Sequence, residues 1–73
     1  MTPRLPAVTA RRRRLIRALG EKGFSLERQS GSHAIFIHPD GRRTTVPIHG
    51  KYDIGRGLLR RIMKDAGLAV EDL

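Results

Sequence analysis

Apolar residues recur along this chain in two rhythms. Between positions 9 and 22, Leu15, Ile16 and Leu19 fall at i, i+1 and i+4, with Ala18 beside them. That spacing predicts a helix with one buried stripe, and Thr9 is placed to cap its start. Gly23 follows where a left-handed residue closes a helix, and Phe24 supplies the apolar contact that accompanies such a cap. From position 24 to 29 the period changes to two. Phe24, Leu26 and Arg28 alternate with Ser25, Glu27 and Gln29, which predicts a half-buried strand. Ser30-Gly31 turns the chain. Residues 32–38 contain Ile35, Phe36 and Ile37 and predict a second strand. Pro39-Asp40-Gly41 predicts a turn, and residues 43–47 a third strand.

After a loop at 48–52 the helical period returns. Leu58, Leu59, Ile62, Met63 and Ala66 form an i, i+3, i+4, i+7 stripe. The second helix therefore starts between Asp53 and Gly57 and ends near Ala66, with Gly67 as a second closing glycine. Residues 68–73 add a short turn. Tight turns between the strands make them an antiparallel meander. The expected fold is α+β, ordered α-β-β-β-α, with both helices on one face of a three-stranded antiparallel sheet. Double-stranded-RNA-binding folds are built this way, and the uncovered face or rim of the sheet is left for a ligand. Residues 1–8, with Pro3 and Pro6, read as a flexible arm, which leaves 9–73 as one domain.

Size and charge narrow the function. A chain of 73 residues buries only about 60% of the surface its unfolded form exposes. It has room for one thin core and none for a deep, enclosed pocket. An enzyme this small suits a polymer lying across its surface. Fifteen Lys and Arg against seven Asp and Glu give a net charge of +8, which favours a polyanion, nucleic acid first. Arg28, Arg42, Arg43, Lys51, Arg56 and Arg60 are the candidate RNA contacts, spread through the ordered part of the chain. Arg11 to Arg14 begin the first helix, where four positive charges oppose the macrodipole. Such a run serves either binding or a solvated face. With no cysteine, disulfides and thiolate metal sites are excluded. No apolar run approaches the length of a membrane span, and Met1 to Arg14 lacks the apolar middle of a signal peptide. A cytoplasmic location without membrane attachment is the expectation.

The three histidines differ in setting. His33 opens the second strand after Ser30-Gly31-Ser32, at the rim of the sheet. Alternation puts it on the face of Ile35 and Ile37, at the edge of the helix interface if those two face the helices. His38 closes the same strand on the opposite face and reads as a solvent-facing turn residue. His49 follows the third strand, where antiparallel pairing brings it near the start of the second, as a candidate neighbour of His33. The three match no zinc ligand spacing, and Glu27, Asp40 and Asp53 sit in unrelated segments, so neither a metal nor a cofactor is expected. An imidazole among cations does suit one reaction. RNA carries its own nucleophile, the 2′-OH beside each phosphate, and imidazole titrates near neutrality and can take that proton. An arginine or lysine then stabilises the growing charge on phosphate. A non-catalytic RNA-binding module of the same fold is the alternative, and a binder has no use for an imidazole at the rim.

The residues also carry a family likeness. Leu19, Lys22-Gly23-Phe24, Arg28-Gln29-Ser30-Gly31-Ser32-His33, Phe36, His38-Pro39-Asp40-Gly41, Val46-Pro47-Ile48-His49 and Asp65-Ala66-Gly67-Leu68 resemble the HicA toxins, mRNA interferases of toxin–antitoxin pairs. The likeness spans about residues 11 to 68. It departs at Leu58, where a small hydroxyl residue is usual. The resemblance implies a double-stranded-RNA-binding-like fold and cleavage of mRNA with His33 as the catalytic residue. It implies supporting positions at Gly31, Ser32 and His49. It also implies a HicB-type antitoxin that covers the active site.

Overall fold

The structure is a computed structural model that describes residues 10–48 and 53–73. The arm at 1–8, the Thr9 cap, His49 and Lys51 lie outside the described residues. The elements run α1 (Ala10–Glu21), β1 (Ser25–Ser30), β2 (His33–Ile37), β3 (Arg43–Pro47) and α2 (Arg56–Ala66), with a 3-10 turn at Val70–Asp72. The strands form one antiparallel sheet in the order β1-β2-β3, so β2 is central. The α-β-β-β-α fold read from the sequence is the fold found.

Leu15, Ala18 and Leu19 of α1 and Ile62, Met63 and Ala66 of α2 enter one core with Ala34, Phe36 and Val46 of the sheet. Leu15, Leu19 and Val46 are wholly excluded from solvent. Each such side chain contributes about 1.5–3 kcal/mol on burial. Leu58 does not join them. It is 40% exposed, so the stripe of α2 is narrower than its sequence suggests.

Both helices close with the same device. Gly23 takes φ 95°, its N–H donates to the Gly20 carbonyl, and the Phe24 N–H donates to Leu19 at 2.9 Å. Gly67 takes φ 72°, and the Leu68 N–H donates to Met63 at 2.8 Å. In each case the residue after the glycine is buried, as this cap requires.

Two strand expectations are corrected. Ala34 and Phe36 are buried while Ile35 and Ile37 are half-buried, so the isoleucines face away from the helices. β1 does not alternate throughout. A bulge between Leu26 and Arg28 leaves Glu27 without a directly opposed partner. Leu26 packs against the core, whereas Arg28 lies opposite Ile35 on the uncovered face.

Candidate active site

The site is built from the Ser30–His33 turn upward. Gly31 takes φ 58°, a left-handed conformation that glycine adopts without a Cβ penalty. It reverses the chain so that Ser30 pairs with His33. The Gln29 side-chain amide donates to the Gly31 carbonyl at 3.2 Å and braces the turn. On its other side His33 pairs with Pro47, and the next residue, Ile48, donates its N–H to the Ser32 carbonyl at 2.7 Å. His33 is thus held in the central strand with a strand on either side. It is exposed, on the open face with Ile35 and Ile37. It sits at the rim as expected, but on the face away from the helices.

The same end of the molecule gathers both helix starts. The Asp53 carboxylate accepts from the Arg11 N–H at 3.1 Å and the Arg12 N–H at 3.3 Å, and also from the Ile54 N–H at 2.8 Å. Arg11 Nη1 donates to the Ile54 carbonyl at 2.7 Å. Asp53 therefore caps a helix more than forty positions earlier in the chain. It also fixes the far end of the segment whose near end is tied to Ser32. α2 starts three residues on, at Arg56. Both helices then run towards the opposite end. The Lys22 carbonyl after α1 is 3.0 Å from His38 Nε2, and the Ala66 carbonyl of α2 accepts from Arg42 Nη1 at 2.6 Å. Arg11 to Arg14 and Arg56 lie at the His33 end. Glu21, Asp40, Asp65 and Asp72 lie at the other, where Lys22, Arg42 and Lys64 largely balance them.

The candidate RNA contacts separate by position. Arg28 shares the open face with His33, since its cross-strand partner Ile35 is two residues on. Arg43 is on that face too, opposite Ile37, about 13 Å further along the strands. Its Nη2 pairs with Glu27 Oε2 at 3.0 Å. Arg56 and Arg60 are exposed on α2, one turn apart. Arg42 leaves the set. Its Nε meets Asp40 at 2.8 Å, its Nη1 holds the end of α2, and its guanidinium lies 5.2 Å from the Phe24 ring centre. It serves as a clamp over the core.

His38 is likewise structural. Its ring meets Phe24 edge-on at 5.1 Å, bridges to the Lys22 carbonyl and accepts the Asp40 N–H at Nδ1, 3.1 Å away. The Asp40 carboxyl is held below its usual range, mainly by the Arg42 backbone N–H and then by the Arg42 side chain. The arginine run is not a uniform solvated face. Arg12 is 3% exposed and Arg11 is half-buried. Nothing in the local sequence of Asp53 pairs it with α1, so this cap is visible only in the fold.

No three His, Asp or Glu side chains among the described residues are grouped to hold a metal ion. No described helix is long and apolar enough to cross a membrane. A search of curated proteins finds no match to this chain. Residues 12–68, more than half of the chain and spanning every element from α1 to Leu68, match the family described as the HicA toxin of bacterial toxin–antitoxin systems, and the chain belongs to that family.

Proposed function

We propose that this toxin is an endoribonuclease in which His33 acts as general base on a ribose 2′-OH. Its substrate is mRNA, and a HicB-type antitoxin holds it in check by covering the site. The observation that carries the reading is an exposed imidazole on the open sheet face, at the end where both helices and their arginines begin. In the reaction the His33 imidazole takes the 2′-OH proton as the 2′-oxygen attacks phosphorus. The P–O5′ bond breaks, the 5′-oxygen takes a proton from solvent water, and the products end in a 2′,3′-cyclic phosphate and a 5′-hydroxyl. Charge that builds on the phosphoryl oxygens is stabilised by cations, and Arg28 is placed on the same face to supply one. Arg56 and Arg60 of α2, and Arg43 further along the sheet, hold flanking phosphates. The 2′-oxygen is the nucleophile, so the chemistry is selective for RNA. The start of α2, which no side chain caps, adds partial positive charge where phosphates approach, whereas that of α1 is taken by Asp53.

The test uses one labelled RNA and the same RNA with a single 2′-deoxy position at the cut. The wild type cleaves the first with EDTA present and spares the second. His33→Ala binds RNA and leaves it intact. Equal cleavage by both proteins removes His33 from the chemistry. Binding without cleavage by the wild type leaves a non-catalytic RNA-binding module.

A further inference from the structure

We propose that the outer edge of β3 receives an extended acidic strand from a protein partner, which becomes the fourth strand of the sheet. The proposal rests on membership of a toxin–antitoxin family only for the existence of a protein partner.

Pairing parity shows what the edge offers. The His38 N–H donates to the Arg42 carbonyl at 2.8 Å, and the Ile48 N–H to Ser32 at 2.7 Å. Positions 42, 44, 46 and 48 therefore turn their backbone groups towards β2. The N–H and C=O groups of Arg43 and Thr45 point outward, where no strand pairs with them among the described residues. Pro47 has no N–H and ends this edge. The free groups of Arg43 and Thr45 match what a short added strand needs.

The two sheet edges are not equivalent. β1 is guarded by its bulge and by Glu27 and Arg28, devices that discourage edge pairing. β3 is flat in register along its whole length. Beside it runs an open groove of about 370 Å³ between the strand and α2, lined by Arg43, Thr45, Leu58, Arg61 and Asp65. Leu58, 40% exposed, offers apolar surface at this groove. Arg43 borders it on the open face, while Arg61 and Asp65, one turn apart on α2, lie with Leu58 on the helix side. An added strand sends alternate side chains to opposite faces, so apolar residues rest on Leu58 on the helix side and acidic ones fall on the open face beside Arg43, whose guanidinium stays more than half exposed beside Glu27. A second copy of this chain, also at +8, is disfavoured by charge. The docked strand lies beyond β3, two strands from His33, so docking leaves the His33 chemistry untouched and shares with the proposed RNA path only Arg43.

The test uses full-length His33→Ala protein, which takes cleavage out of the measurement. Its probe is a synthetic peptide of about eight residues that alternates valine and glutamate. A control peptide carries lysine for glutamate, and a short single-stranded RNA is the third arm. Amide hydrogen exchange by NMR is the readout. With the acidic peptide at about 1 mM, exchange at Arg43 and Thr45 slows at least ten-fold, while Thr44 and Val46 do not change. The lysine peptide and the RNA leave these amides fast. Leu58→Asp and Arg43→Gln, both at exposed positions, fold normally; the first abolishes the protection at Thr45 and the second weakens it. The proposal is overturned by no protection at Arg43 and Thr45, by protection at Leu26 and Gln29 instead, or by equal protection from either control. None of these results bears on whether His33 cuts RNA.

Discussion

Asp53 makes the most demanding prediction, because one exposed carboxylate is asked to hold a helix start remote in sequence. It accepts three backbone N–H groups, two from the first turn of α1 and one from Ile54. Loss of an N-cap costs about 0.5–2 kcal/mol, and a hydrogen bond to a charged group contributes about 1.5–3 kcal/mol where it is shielded. Solvent exposure keeps the total near the lower figures, so Asp53→Ala loses about 2 kcal/mol. Asp53→Asn keeps an oxygen acceptor but loses the charge that offsets Arg11 to Arg14 and the helix dipole. That loss is about 1 kcal/mol. In a domain of this size 1 kcal/mol moves Tm by about 4–8 °C. The alanine variant therefore melts about 8–16 °C below the parent, and the asparagine variant falls about halfway. Thermal denaturation followed by circular dichroism reads this directly. Amide exchange at Arg11 and Arg12 accelerates in the alanine variant before the rest of α1. A Tm within about 2 °C of the parent, with those amides still slow, refutes the cap.

Arg42→Ala destabilises the fold by about 1–2 kcal/mol through loss of the Ala66 bond and the Phe24 contact. RNA affinity in a filter-binding titration stays within about two-fold, and a ten-fold loss would return Arg42 to the RNA surface. Gly31→Ala and Gly67→Ala both force a left-handed backbone and cost about 1–2 kcal/mol each. Gly67→Ala costs more, because a Cβ there comes within 2.8 Å of Arg42 Nη1, whereas nothing lies within 4 Å at Gly31. In an Arg42→Ala background the two costs converge, which denaturant melts will show or deny. Asp40 has a folded pKa depressed from its ordinary value of 3.8. Its contribution is present above that value and disappears as pH falls through the lower folded pKa. Melts of the parent and Asp40→Asn should differ at pH 6 and merge towards pH 2, and a constant gap across that range excludes this linkage.

The sequence made the order of elements legible because each boundary carries its own chemistry. Gly23-Phe24 and Gly67-Leu68 announce two helix ends, and Pro39-Asp40-Gly41 announces a turn. The face of β2 was harder to read. Positions 34 to 37 are all apolar, so a period of two does not choose between Ala34 with Phe36 and Ile35 with Ile37. The choice is made in three dimensions, where Ala34 and Phe36 join the residues of α1 and α2 in one core. That choice moves His33 to the open side. The bulge at Leu26–Arg28 also hides from periodicity, since the residues around it keep an alternating pattern through an inserted position. Arg42 and Arg43 are identical neighbours in the sequence. Only the register, which points one to α2 and the other to the open face, tells clamp from contact. Asp53 reads as a lone acid until the fold sets α1 beside it.

Both helices start from the His33 end and run the same way. Two antiparallel helices would cancel their dipoles, but these add, and the excess of arginines at the helix starts points the same way. The protein is therefore polarised, with its positive pole at the His33 end. Such a particle turns as it drifts in the field of a polyanion and arrives facing it. Its capture rate should fall steeply with added salt even where its lifetime on the polymer changes little.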